Sequence, residues 1–125
     1  MSVMLVEDNP EDVFFTKRVL KQSGIEQITV VGDGQAALVT LEEMAADGRL
    51  PNLVLLDINL PVMGGIALLK RLKKNPRLSG IPVVMLTGSN VDCDIQTSYD
   101  LGASSYLVKP ISKEALQLVL ASVFP

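Results

Sequence analysis

The 125-residue sequence contains no histidine. That absence removes Ser-His-Asp and Cys-His nucleophile systems, histidine-ligated zinc and any phosphohistidine carried by the chain itself. Whatever chemistry it performs must run on carboxylates, hydroxyls and lysines. The single cysteine, Cys93, forms neither an internal disulfide nor a multi-thiolate metal site, which suits a reducing compartment. No stretch approaches the roughly 18 apolar residues of a membrane span. The first basic residue, Lys17, comes too late for the n-region of a signal peptide. The expectation is a soluble cytoplasmic protein without membrane insertion. Positive charge is also in deficit: 11 basic against 14 acidic residues give a net charge of −3. A clustered basic surface is what grips a phosphate backbone, so direct nucleic-acid binding is not expected. What is present is a globular composition, 48% hydrophobic and 20% charged, close to the averages of about 45 to 50% and about 25%. Domains cluster at roughly 100 to 150 residues, so residues 1–125 read as one domain.

Short apolar runs alternate with amphipathic ones five times, each change marked by Gly, Pro, Asn or Asp. The runs are Val3 to Val6, Ile28 to Val31, Leu53 to Leu56, Val83 to Leu86 and Tyr106 to Val108. Leu53 to Leu56 shows no polar alternation, as a central parallel strand covered on both faces requires. A first helix is predicted behind Asn9 as N-cap, with Pro10 in its first position, Glu11 and Asp12 on the positive end of its dipole, and Gly24 as its stop. Further helices are predicted over Gln35 to Ala46, Ile66 to Lys74, Asp94 to Leu101 and, behind Ser112, Lys113 to Val123. Strands alternating with helices imply an open α/β sandwich with right-handed crossovers.

Open α/β sheets bind ligands at the carboxyl ends of their strands. There the sequence places Glu7 and Asp8 after the first strand, Asp57 after the third, Thr87-Gly88-Ser89 after the fourth and Lys109-Pro110 after the fifth. Alone, Glu7 and Asp8 would be read as opening a loop and capping a helix. Their convergence with Asp57 points instead to a divalent cation, since three carboxylates raise one another's pKa. Mg2+ suits oxygen ligands and keeps several waters. Adjacent side chains on a strand diverge, so Glu7 and Asp8 are not expected to ligate directly together. A carboxylate beside Mg2+ can attack a phosphoryl group. Asp57 is the candidate nucleophile, with Lys109 as a point charge and the Thr87 hydroxyl and Gly88 amide as donors.

The segments Leu5-Val6-Glu7-Asp8-Asn9, Leu55 through Gly65, Leu86-Thr87-Gly88 and Tyr106 through Pro110 resemble the response-regulator receiver family, along essentially the whole chain from Val3 to Val123. The resemblance implies a flavodoxin-like (βα)5 sandwich of strand order 2-1-3-4-5, a topology for which flavodoxin and the chemotaxis receiver are the standard examples. It implies that Asp57 accepts a phosphoryl group from a sensor histidine kinase. It further implies Asp8 as direct Mg2+ ligand beside Asp57, Glu7 acting through water, and the Asn59 backbone carbonyl completing the set. Lys109 would contact the phosphoryl group, Thr87 would swing towards it, and Tyr106 would turn between outward and inward rotamers. A cis Lys109-Pro110 bond is a family expectation too. Ser98 through Ala103 resembles the small single-domain receivers paired with phytochrome-type histidine kinases. Gly64-Gly65 departs from the usual acid-glycine pair and Gly88 from the usual alanine, and Gly64 should loosen the loop after Pro61.

A haloacid-dehalogenase-like phosphatase also uses an aspartyl nucleophile, but Asn59 cannot serve as its second acid. A flavodoxin-like cofactor binder is disfavoured by the acids after the first strand and by the lack of a Gly-x-Gly-x-x-Gly there. The expected activity is a signalling switch, not an enzyme with a foreign substrate. A phosphorylation-independent interaction module is the alternative. The downstream partner is a protein that the sequence does not name. The resemblance also suggests a homodimer through the fourth helix, fifth strand and fifth helix. In that last helix Leu116, Val119, Leu120 and Val123 form the apolar face, leaving Leu118 exposed. Elsewhere, at least one of Phe14 and Phe15 is expected in the core. Lys70, Arg71, Lys73 and Lys74 should form a solvated helix face, Met63 a loop gap-filler, and Cys93, between Asp92 and Asp94, an inert thiol.

Overall fold

The computed structural model describes residues 1–88 and 92–125, apart from the side chains of 92–94. Ser89 and the side chain of Cys93 therefore lie outside the described residues. Five strands and five helices alternate: β1 (Ser2–Val6), α1 (Pro10–Gln22), β2 (Gln27–Val31), α2 (Gly34–Ala46), β3 (Leu53–Asp57), α3 (Gly65–Lys74), β4 (Val83–Thr87), α4 (Asp92–Asp100), β5 (Ser105–Val108) and α5 (Lys113–Val123). Every pairing is parallel, and the sheet order is β2-β1-β3-β4-β5. Each predicted element is present with ends displaced by a residue or two. The polar α4 starts at Asp92 instead of Asp94.

Alternation along the strands builds two apolar layers. Val54 and Leu56 of β3 join Met4, Val6 and Met85 under Leu41 of α2 and Leu68 and Leu72 of α3. Leu53 and Leu55 join Val3, Leu5, Val84 and Leu86 under Leu20 of α1 and Leu116 of α5. β3 is buried along its whole length, as its unbroken apolar run requires.

Local chemistry sets the helix ends. The Asn9 side chain accepts from the amides of Glu11 and Asp12 with Pro10 following, and Gly24, at φ +87°, turns the chain out of α1. Asp33 caps α2 through the amide of Ala36, and Ser112 caps α5 through that of Ala115.

Two expectations are overturned. Phe14 and Phe15 are both exposed, at 70% and 45%. The buried stripe of α1 runs through Thr16, Val19 and Leu20, and at 100° per residue Phe14 lies opposite it and Phe15 on its flank. Lys73 does not belong to a solvated face. Its Nζ donates to the carbonyls of Ser79 and Ile81, both at 3.2 Å, tying α3 to the segment that enters β4. Burial lowers its pKa. Met63, as expected, packs half-buried against the core. Among the described residues no helix is long and apolar enough to cross a membrane.

Candidate functional site

Val6 of β1 pairs with Leu56 of β3, so the next residues, Glu7 and Asp57, emerge side by side at the carboxyl edge of the sheet. Both are buried, while Asp8, the next residue along the chain from Glu7, is exposed. One carboxylate oxygen from each of the three lies within 4.8 Å of the other two. This all-oxygen set fits a hard divalent cation such as Mg2+.

The two buried carboxylates are held in the same manner. Glu7 Oε1 accepts from the amide of Asn9 at 3.1 Å, and Asp57 Oδ1 from that of Asn59 at 3.0 Å. Their other oxygens face the Lys109 ammonium, at 3.1 Å from Glu7 Oε2 and 3.2 Å from Asp57 Oδ2. The backbone thus fixes one oxygen of each, and a single ammonium is shared between the two. Burial pushes the Glu7 carboxyl above its usual pKa; the Asn9 amide and Lys109 oppose this, and the neighbouring Asp57 adds to it. Burial alone would lower the Lys109 pKa, but hydrogen bonds to Asp12 and Glu7 and the charge of Asp57 raise it instead. These partners favour the charged form of Lys109.

β4 and β5 complete the crevice. Thr87 ends β4, buried, and its carbonyl accepts from the Lys109 amide at 2.7 Å. The Lys109-Pro110 peptide is cis, as expected. Tyr106 is half-buried against the core and meets Tyr99 edge-on, with ring centroids 6.2 Å apart. Leu118 of α5 is 74% exposed, as the helical spacing predicts, and Leu116 is fully buried.

Sequence reasoning missed two residues. Asp12, read only as a dipole partner, accepts from Lys109 Nζ through its Oδ2 at 3.0 Å. Helical side chains lean back towards the N-terminus, and α1 begins at the crevice, so an acid in its first turn was detectable by that geometry. Gly65 is the other. A Cβ there would stand 2.1 Å from the Asp57 carbonyl oxygen, so α3 can start against the Asp57 backbone only with glycine. The preceding loop is strained: Val62 has φ +67°, and the Met63 amide donates to the Pro61 carbonyl at 2.7 Å, a γ-turn of the rare hand. Gly64 follows with φ +72°, a conformation that glycine adopts without penalty.

Grooves along α2 and α3, beside Glu42, Arg71 and Arg77, and on the outer face of α1, beside Phe14 and Lys17, bring no acids together among the described residues.

The model of the response regulator receiver domain matches residues 3–121. The chain is 40% identical over 110 residues to the response regulator Rcp1 of Synechocystis sp., covering 86% of this chain and 75% of that protein. The solved Mn2+-bound form of Rcp1 aligns with a TM-score of 0.78 at 37% identity, over 96% of this chain and 89% of that one. The bacteriophytochrome response regulator RtBRR aligns with a TM-score of 0.88 at 33% identity, over 99% and 78% of the two chains. The phosphorylated cyanobacterial phytochrome response regulator RcpA aligns with a TM-score of 0.78 at 35% identity, over 98% and 88%. The acid crevice sits on the sheet these relatives share, and the chain belongs to the response regulator receiver domain family.

Proposed function

We propose that this receiver takes a phosphoryl group onto Asp57 from the phosphohistidine of a sensor histidine kinase, and that the resulting change of conformation signals to a protein target. The observation that carries this reading is the placement of Asp57: a buried carboxylate at a strand end, 3.2 Å from an ammonium and beside two further acids. An Asp57 oxygen attacks phosphorus; the P–O bond forms as the P–N bond breaks, and imidazole leaves with its electron pair and takes up a proton. The Asn59 amide holds Oδ1 in place. Lys109 pairs with a phosphoryl oxygen, and the Thr87 hydroxyl and Gly88 amide donate to others. Gly88 leaves room for this, since among the described residues no atom lies within 4 Å of where its Cβ would be.

Asp8, Asp57 and the Asn59 carbonyl would hold Mg2+, with Glu7 acting through water; the ion supplies neutralisation of phosphoryl charge. The Mn2+ of Rcp1 and the phosphorylated state of RcpA support the same reading. Thr87 moving towards the phosphoryl group, with Tyr106 following, would reshape the α4-β5-α5 surface, where Leu118 stands exposed. That surface is our candidate for the target contact and for self-association. The protein acts in the cytoplasm and turns over nothing beyond its own phosphorylation and dephosphorylation. RtBRR and RcpA are phytochrome response regulators, and a phytochrome-type kinase is the proposed partner.

Incubation with acetyl phosphate and Mg2+ tests the assignment by intact-protein mass. One phosphoryl adduct should form, and it should be lost with Asp57→Asn or with chelator. An unmodified wild type would favour the phosphorylation-independent interaction module.

A further inference from the structure

The Lys109 ammonium has three protons and three carboxylate partners from three elements: Glu7 beyond β1 at 3.1 Å, Asp12 on α1 at 3.0 Å and Asp57 on β3 at 3.2 Å. Glu7 and Asp57 belong to the acid cluster that a cation and a phosphoryl group would engage, and both must change partners during the proposed reaction. Asp12 lies outside that cluster. Its side chain is 38% exposed on the helical wall of the crevice, and the Lys109 side chain is 15% exposed beneath it. The backbone at Asp12 is anchored, because its amide donates to the capping Asn9 side chain at 3.2 Å.

We infer that Asp12 is a positioning residue for phosphoryl transfer, holding the flexible Lys109 stem from helix α1 so that its ammonium stays over Asp57 while the other two carboxylates exchange partners. The inference rests on the phosphoacceptor reading. A lysine carries its charge on four rotatable carbons, and a point charge helps a transition state only where it is already in place. A helix-dipole role alone would ask only for an acid in the first turn. Glu11 supplies that as well, and no contact between Glu11 and Lys109 is seen among the described residues.

The test compares rate constants for Asp57 labelling by acetyl phosphate with Mg2+. Asp12→Asn should slow labelling about 3- to 10-fold, the size of coupling between side chains in one ion-pair network. Glu11→Gln, which removes equal charge from the same turn, should leave the rate unchanged. In a Lys109→Ala background Asp12→Asn should add nothing. Side-chain NMR of the unlabelled protein gives a second reading: the order parameter at Lys109 Cε should fall in Asp12→Asn. An unchanged or faster rate, a slowing that persists without Lys109, or an unchanged order parameter overturns the inference while a labelled wild type leaves the phosphoacceptor reading standing. An unlabelled wild type overturns both.

Discussion

Along β3, Leu53 to Leu56 are wrapped by apolar neighbours on both faces of the sheet, whereas Asp57, one step further and equally buried, faces Glu7 and an ammonium. The first four positions gain from leaving water, at about 25 cal/mol per Å² of apolar surface. The fifth loses solvation and, among the described residues, recovers it through the Asn59 amide and a lysine shared with two other acids. The sheet interior is built for stability. Its carboxyl edge gives stability up, and that cost is tolerable because the layers beneath are fully packed.

Breaking the interior should have the largest effect. Leu56→Ala leaves a cavity under α2 and α3 and should lower unfolding free energy by about 3 to 5 kcal/mol, read as a lower urea midpoint. At the junction of the two regions, Gly65→Ala forces its Cβ onto the Asp57 backbone. Overpacking of this kind costs about 1 to 3 kcal/mol or more, and because it moves Asp57 itself, labelling should fall further than stability does.

Changes at the edge should run the other way. In chelator, Glu7→Gln should raise stability by about 1 kcal/mol, the low end of what burying a poorly compensated polar group costs. The sign follows from the raised pKa of Glu7. The native state binds this proton more readily than the unfolded chain, so the contribution is fully present below the unfolded pKa and is lost as pH rises through the folded one. Wild type should therefore lose stability over that acid window relative to Glu7→Gln in thermal melts. The smallest effect belongs to Gly88→Ala, where the added methyl meets no atom of the described residues within 4 Å. Melting should show a change within about 0.5 kcal/mol, and a larger one would mean that the edge of β4 is as crowded as that of β3.

The parts legible in the sequence were those that follow from short-range rules. Asn9-Pro10 and Ser112 mark helix starts because a cap needs only its own next three residues, and an unbroken apolar run makes β3 central. The acids and Lys109 were legible because strand ends converge in any parallel sheet. The resemblance, not the spacing, supplied the strand order. The residues missed depend on orientation and distance in space. Phe14 and Phe15 are apolar but on the wrong side of α1, Lys73 reaches carbonyls beyond its own helix, and Gly65 is required by a carbonyl eight residues earlier. Asp12 fell between the two kinds, since its helical position was clear and its partner beyond β5 was not.

The central claim is that the crevice makes Asp57, and no other acid, the phosphoacceptor. Borohydride reduction after acetyl phosphate treatment tests it most directly, because it converts an aspartyl phosphate to homoserine, which peptide mass spectrometry locates. Homoserine at position 57 alone, dependent on Mg2+, is the expected result. Homoserine at Asp8 or Asp12, its homologue from reduced glutamate at Glu7, or no Mg2+-dependent reduction at position 57 would contradict it.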